Sequence, residues 1–529
     1  MRVLFFLFFS CTIFAQDTLN YRYFIYFEDK GSYQTSDFLP TDLLSNQSIL
    51  RREKQNITLD YDDLPVFQNY IDTLENRGFN IIFKSKWFNG VLCWSNQNDV
   101  SSIMNLDFVT SLDSFGVFTN DLTLRKTQKH EEISDTYGTS FNQIEMLQGH
   151  VLHQEGFKGH NINIAVLDAG FRNANELDGL QHLFSNNKVK LTWDFVDNEY
   201  SVYDDNYHGM SVLSTMATNI ENEFIGTAPN ANYWLFRTED SQSENLIEEY
   251  YWLIAAETCD SLGIDIINSS LSYTRFDLDY QNHSYSDLDG KTTPITRAAT
   301  IAARKGMIVC SSAGNYGNNS WKYIGAPADA DSILTVGSVD QNRIISNFSS
   351  LGPTSDGRLK PTISAQGGNT TVLNANNSIN TSNGTSFSSP LIAGMTACLW
   401  QANYNKSAQE IINAIISSSH LVNNPNNSYG NGIPNFFLAN ELLQFSQVDT
   451  LSLKIYPNPI IDKSFYFITG SNEASFQIHD INGKLIYNEL LSGKSKINFK
   501  KISALTYGTY IFSLISETQK ISQKVVVIN

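Results

Sequence analysis

Between residues 163 and 337 the chain carries apolar runs at Asn163–Leu167, Asn232–Arg237, Ile264–Asn268, Met307–Ser311 and Ile333–Gly337, separated by stretches patterned as helix. Strands that are apolar on both faces cannot border water. Strands that alternate with helices pair in parallel, so the pattern demands a mostly parallel, doubly wound sheet with helices on both sides. Such sheets present functional groups at the carboxyl ends of their strands.

The first run ends at Asp168-Ala169-Gly170, which places a carboxylate at a strand end. Forty residues on, His208-Gly209-Met210 opens a small-residue helix, Ser211 to Ala217, and seats an imidazole at a helix start. A third junction is Gly384-Thr385-Ser386-Phe387-Ser388-Ser389-Pro390, where a loop of small residues becomes a buried helix. The N–H groups of that helix point back at Ser386, where a developing negative charge is stabilised. A hydroxyl is inert without a base, and a base needs an orienting partner; the chain supplies all three groups in the order Asp, His, Ser. Taken singly, each has a plainer reading: an aspartate, histidine or serine at a helix start is usually a cap. Their joint occurrence at strand-to-helix junctions carries the chemistry.

These segments resemble the three signature segments of the subtilisin-like serine proteases, the subtilases. The resemblance spans roughly residues 145 to 445. Within it, Val309-Cys310-Ser311-Ser312-Ala313-Gly314-Asn315 looks like the strand that delivers the family's oxyanion asparagine, here Asn315. Asn268 to Ser272 looks like the substrate-pairing strand. The resemblance implies that His208 is the general base, Asp168 orients it, Ser386 is the nucleophile, and Asn315 binds the oxyanion. It also implies that Ser270, Leu271 and Ser272 pair with peptide backbone, that Ser312, Ala313 and Gly314 line the first specificity pocket, and that Tyr316 borders it. Departures from the family pattern include Ala169 and Met210 beside the acid and base, Thr362 and Gln366 in a flanking segment, and Ser272 where a glycine often lines the cleft. No cofactor is required for this chemistry. Many subtilases bind structural calcium, but no ligand cluster places one here; Asp204-Asp205 and the stretch Asp277 to Asp289 read as solvated loops.

At 529 residues the chain is too long for one core. Residues 1–15, with Met1-Arg2 before a Phe-rich apolar run and Ala15 before Gln16, read as a signal peptide too short to span a membrane. Residues 21–118 read as an α+β unit, with strands at Tyr23–Phe27 and Gly90–Trp94 and helix-like segments around Val66–Arg77 and Asp99–Asn105. Residues 119–144 read as an exposed connection open to cutting. A unit of this kind between a signal peptide and a subtilase-like domain resembles the family's propeptide and implies a zymogen.

Residues 452–529 change to period-two strand patterns with Asn-Gly and Tyr-Gly turns, the mark of a small all-β sandwich. Its Tyr-Pro-Asn-Pro, Asp-Ile-Asn-Gly-Lys, Gly-Thr-Tyr and terminal Lys-Val-Val elements resemble the C-terminal sorting domain read by type IX secretion systems. The partners implied are protein or peptide substrates and that machinery, with the product secreted or attached at the cell surface. A formal charge of −18 argues against nucleic acid. No later segment is apolar enough to span a membrane, and the five cysteines include no disulfide framework; Cys310 and Cys398 read as core residues. The rival reading is a surface-displayed binding protein that keeps the protease scaffold without turnover.

Overall fold

The structure, a computed structural model, describes residues 21–95, 100–116, 136–445, 453–456, 458–460, 463–469, 473–492, 497–516 and 519–528. The expected signal peptide with Cys11, and most of the expected connection, lie outside these residues. The chain divides into two compact units, one ending at Phe436 and the other beginning at Phe437.

The N-terminal part of the first unit is an antiparallel sheet of β1 (Tyr21–Phe27), β2 (Asn80–Ser85), β3 (Gly90–Ser95) and β4 (Val109–Ser114), in the order β2-β3-β1-β4. Helices α1 (Asn46–Lys54) and α2 (Gln68–Glu75) lie between β1 and β2 in sequence. Side chains alternate along β1, and the two faces go to different cores. Tyr23, Ile25 and Phe27 pack with Ile71, Leu74, Val91 and Cys93 in the sheet's own core. Phe24 points the other way, into a larger core that it shares with Tyr250, Trp252 and Leu253.

That larger core covers a seven-stranded sheet. Its strands are β5 (Asn163–Asp168), β6 (Val189–Asp194), β7 (Asn232–Arg237), β8 (Ile266–Ser269), β9 (Ile308–Ser312), β10 (Leu334–Val339) and β11 (Ile363–Gln366). They pair in parallel in the order β11-β10-β9-β8-β5-β7-β6. The sheet is therefore the doubly wound form expected, with two more strands than the apolar runs revealed. Strand β6 is only half-buried and β11 has four residues, so neither stands out as an apolar run. Helices α3 (His208–Ala217), α4 (Ile247–Leu262), α5 (Pro294–Arg304) and α6 (Thr385–Ala402) cover the faces. Helix α5 starts cleanly, with the Thr293 hydroxyl accepting from the Thr296 N–H and proline at the first helical position. Every residue of α6 from Thr385 to Trp400 is buried, since the segment carries only small and apolar side chains and no charge. The strand order reverses between β5 and β8, which makes the crevice at their carboxyl ends the natural place for a site.

From Thr136 the chain is already woven into this part. The Asn222 N–H donates to the Thr136 carbonyl, the Thr139 N–H to the Glu223 carbonyl, and the Ser140 hydroxyl to the Ile225 carbonyl. The stretch 136–144, expected as exposed connection, is thus fixed by hydrogen bonds.

The second unit begins inside helix α7 (Phe436–Phe445), whereas the sequence placed the break after that helix. It contains β12 (Leu453–Tyr456), β13 (Ser464–Thr469), β14 (Glu473–Asp480), β15 (Leu485–Ser492), β16 (Ile497–Lys501), β17 (Gly508–Ile515) and β18 (Lys520–Val527). They form sheets ordered β12-β13-β16 and β15-β14-β17-β18, around Phe465, Phe467, Phe476, Phe512 and Val525. Among the described residues no helix is long and apolar enough to cross a membrane.

Candidate active site

Asp168 is the last residue of β5 and is fully buried. One carboxylate oxygen, Oδ1, accepts from the Ala169 N–H at 2.8 Å and meets His208 Nδ1 at 2.7 Å. His208 is the first residue of α3, beginning where Asn206 Oδ1 accepts its backbone N–H. Close approach of β5 and α3 depends on Gly209: a Cβ there would stand 2.6 Å from the Gly170 carbonyl oxygen and 2.8 Å from Asp168 Cβ. Burial works against a charged imidazole, but the Asp168 charge and hydrogen bond outweigh it, and the His208 pKa is raised. A third of the His208 side-chain surface stays open to solvent, 34%, so the ring is within reach of an incoming molecule.

Ser386 sits in the first turn of α6, 8% exposed, where a backbone N–H has no acceptor inside the helix. Its hydroxyl donates to the Ser270 carbonyl at 3.3 Å, not to His208. The expected hydrogen-bonded chain of three therefore stands in two pieces: Asp168 with His208, and Ser386 with Ser270. The pieces are adjacent, since the His208 ring lies 6.0 Å from the ring of Phe387.

Ser270 grips Ser386 twice. Its hydroxyl donates to the Ser386 carbonyl at 2.8 Å and accepts from Asn268 Nδ2 at 3.1 Å. Asn268 Oδ1 in turn accepts from the Ser389 hydroxyl at 2.9 Å, one helical turn beyond Ser386. The resemblance places Asn268 in the substrate-pairing strand and Ser389 beside the nucleophile, but implies no bond between them. The available signal was a buried amide at the end of an apolar strand, which must find polar partners.

Asn315 follows β9 by three residues and is exposed. Its Oδ1 accepts from the Thr385 N–H at 2.9 Å and from the Thr385 hydroxyl at 3.1 Å. A backbone N–H can only donate, so the atom it meets is the oxygen, and the amide Nδ2 is left as the free donor beside the start of α6.

The residues expected to bind substrate divide. Leu271, Ser272 and Tyr316 are half-buried, whereas Ser270, Ser312, Ala313 and Gly314 are buried. Ala313 belongs to the large core and Ser312 donates its hydroxyl to the Leu271 carbonyl at 3.0 Å, so their side chains face inward and only their backbone can border the space beside Ser386. The carbonyls of the expected pairing strand already accept from side chains: Ser270 from Ser386, Leu271 from Ser312, and Ser272 from the Tyr316 hydroxyl at 2.7 Å. Each keeps a second lone pair.

Asp205, expected in a solvated loop, instead lies 3.5 Å from Arg237 Nη2. That guanidinium also meets Asp194 and Asp197 at 2.6 Å each, and fills the acidic cluster at the end of β7 with an internal cation. Among the described residues no group of three or more His, Cys, Asp or Glu is arranged to hold a metal ion. The described cysteines, Cys93, Cys259, Cys310 and Cys398, are buried and unpaired.

Residues 159–432 match the subtilase family, residues 22–133 match the Peptidase S8 propeptide domain of Bacteroidota, and residues 454–528 match a secretion system C-terminal sorting domain. Serine protease AprX of Bacillus subtilis (strain 168) is 28% identical over 282 residues, covering 48% of this chain and 60% of its own length. Subtilisin DY of Bacillus licheniformis is 27% identical over 280 residues, covering 52% of this chain and 90% of its own. In fold, the chain is similar to the epidermin leader peptide processing serine protease of Staphylococcus aureus, with a TM-score of 0.54 and 17% identity over 80% of this chain and 98% of that one. With its parallel sheet, its Asp168 and His208 joined at a strand end, and a family match across 159–432, this chain belongs to the subtilase family.

Proposed function

We propose that this chain is the precursor of a secreted serine endopeptidase. In this reading residues 1–15 are a signal peptide, 21–118 a propeptide that blocks the enzyme until removed, 119–144 the processing region, 145–445 the catalytic domain and 452–529 the sorting domain that hands the product to a type IX secretion system. The observation that carries it is the 2.7 Å contact of Asp168 with His208 beside the helix start that bears Ser386.

The Ser386 hydroxyl leaves the Ser270 carbonyl and gives its proton to His208 Nε2 as Oγ attacks the carbonyl carbon of a peptide bond. Asp168 accepts from Nδ1–H, fixes the tautomer and stabilises the imidazolium. Asn315 Nδ2 and the Ser386 N–H donate to the oxyanion. His208 then protonates the leaving amine, the C–N bond breaks, and water activated by His208 hydrolyses the acyl-serine. No metal or cofactor enters these steps. The displacement of Ser386 from His208 suits a resting site, because such bonds tighten when substrate enters.

The same displacement is the observation that favours the rival reading, a protein-binding pseudoprotease. Expression of the full chain, casein digestion and labelling with a serine-directed phosphonate decide between them. Digestion and labelling that vanish in Ser386→Ala support the endopeptidase; correctly processed protein that does neither supports the binding role.

A further inference from the structure

The space beside Ser386 is bounded by three chain segments. Ser270 to Thr274 leave β8, Ser312 to Tyr316 leave β9, and Gly325-Ala326 bridges to Tyr273, with the Tyr273 N–H donating to the Ala326 carbonyl at 2.8 Å and the Ala326 N–H to the Tyr273 carbonyl at 3.0 Å. In the proposed reaction the oxyanion faces Asn315, so the side chain on the acyl side of the scissile bond is directed between these walls.

That space is largely filled by the protein itself. Gly314 and Gly325 both abut the Ser272 hydroxyl, and neither leaves room there for a side chain of its own. A Cβ on Gly314 would be 2.6 Å from Ser272 Oγ, and one on Gly325 would be 2.3 Å from it. Tyr316 closes the same space from the Gly314 side. Its Cδ2 would lie 3.1 Å from that Gly314 Cβ, its hydroxyl is tied to the Ser272 carbonyl at 2.7 Å, and its N–H is tied to the Ser350 hydroxyl at 3.0 Å. The backbone bond fixes where the ring starts, and swinging the ring clear would break the bond from its hydroxyl to Ser272. The Ser272 hydroxyl is buried and has no hydrogen-bond partner among the described residues. A buried donor without a partner is costly, and a ligand that supplies one gains by it.

We propose that Ser272 and Tyr316 close down the pocket beside Ser386, so that the substrates are peptides with a small residue, serine or alanine, on the acyl side of the scissile bond. The inference rests on the endopeptidase reading and deepens it. A phenylalanine or leucine side chain must displace the Ser272 hydroxymethyl, whereas alanine fits short of it and serine can pair with its oxygen. Pockets discriminate by about 10- to 200-fold for one methylene of mismatch, so the effect is measurable.

The test uses the processed product of the expressed full-length chain and a series of peptide anilides that differ only in the acyl-side residue: Ala, Ser, Leu or Phe. The wild type is expected to show kcat/KM for Ala and Ser about 10-fold or more above Leu and Phe. Ser272→Gly is expected to raise the Leu-to-Ala and Phe-to-Ala ratios of kcat/KM about 10-fold, and Ser272→Ala to lower the Ser-to-Ala ratio. A wild type that cleaves Phe as well as Ala overturns the proposal and leaves the endopeptidase reading standing, and this comparison needs no variant to fold. Ser272→Gly that melts with the wild type yet shifts no preference also overturns it. Absence of both turnover and phosphonate labelling overturns the two readings together.

Discussion

The Asp168 carboxylate meets His208 Nδ1 at 2.7 Å, while the Ser386 hydroxyl is held 3.3 Å from the Ser270 carbonyl. In the proposed reading the acid and base are joined before substrate arrives, and the nucleophile rests on a neighbour. The cost of this arrangement is one hydrogen bond to be exchanged on binding.

The raised His208 pKa sets a pH profile. Burial disfavours the cation, but the Asp168 charge and hydrogen bond prevail, so the proton is held more tightly than on a free histidine, near 6.5. A general base must be neutral, so kcat/KM should rise with pH through a midpoint above that value. Asp168→Asn should lower the midpoint and reduce kcat by about 10⁴-fold, read in a pH–rate series. An acid limb unmoved by the substitution would contradict the assigned pairing.

Asn315→Ala should lower kcat by about 10²- to 10³-fold with little change in KM, because the amide acts on charge that exists only in the transition state. Thr385→Ala should have a smaller effect in the same direction, since the Thr385 hydroxyl is one of two groups that hold Asn315 Oδ1. Steady-state kinetics on one peptide substrate checks both.

Processing should cut the chain before Thr136. From that residue on, hydrogen bonds to Asn222, Glu223 and Ile225 tie it into the catalytic part, and a protease needs extended, accessible backbone. N-terminal sequencing of the secreted protein reads the position; a start beyond Ser140 would show that this tie is not kept.

The N-terminal part should resist release after that cut. Asp260 of α4 is fully buried and meets Arg51 at 2.6 Å and Arg52 at 2.5 Å, and Arg52 is shared with Asp63 at 2.8 Å. Removing one member of a buried ion-pair network costs about 3–5 kcal/mol, because the others stay buried without it. Asp260→Ala should therefore turn co-elution of the two cleaved fragments on a sizing column into separation.

Glu257 should make that grip depend on pH. The Ser85 hydroxyl and the Lys86 and Trp87 N–H groups bond its carboxylate, and burial, partly opposed by the Lys86 charge, raises its pKa from 4.5 to about 7. A pKa raised in the docked state gives stability that is fully present below the ordinary value and is lost as pH rises through about 7. Dissociation of the fragments should quicken between pH 5 and 8 on the order of 10-fold, and Glu257→Gln should flatten the dependence.

Much of the sheet was legible because a parallel strand is apolar on both faces: the boundaries of β7 were read to the residue, and β5, β8, β9 and β10 to within two. Strand β6 escaped because its side chains are half-exposed, and β11 because four residues do not make a pattern. The inward turn of Ser312 and Ala313 was not legible, since a small residue near a site reads the same whether it lines a pocket or packs beneath it.

The sequence by itself determined the roles available, since an acid, a base, a hydroxyl and an amide each stand at a junction whose local residues fix strand end or helix start. It determined the order of strands and helices for the same reason: those patterns are set by neighbours a few residues away. Only the tertiary structure decided which groups touch. Ser270 reaches Ser386 across 116 positions, Arg52 reaches Asp260 across 208, and Ser272 fills the gap between Gly314 and Gly325. Such contacts depend on how whole elements pack, and no periodicity of two or 3.6 residues records them.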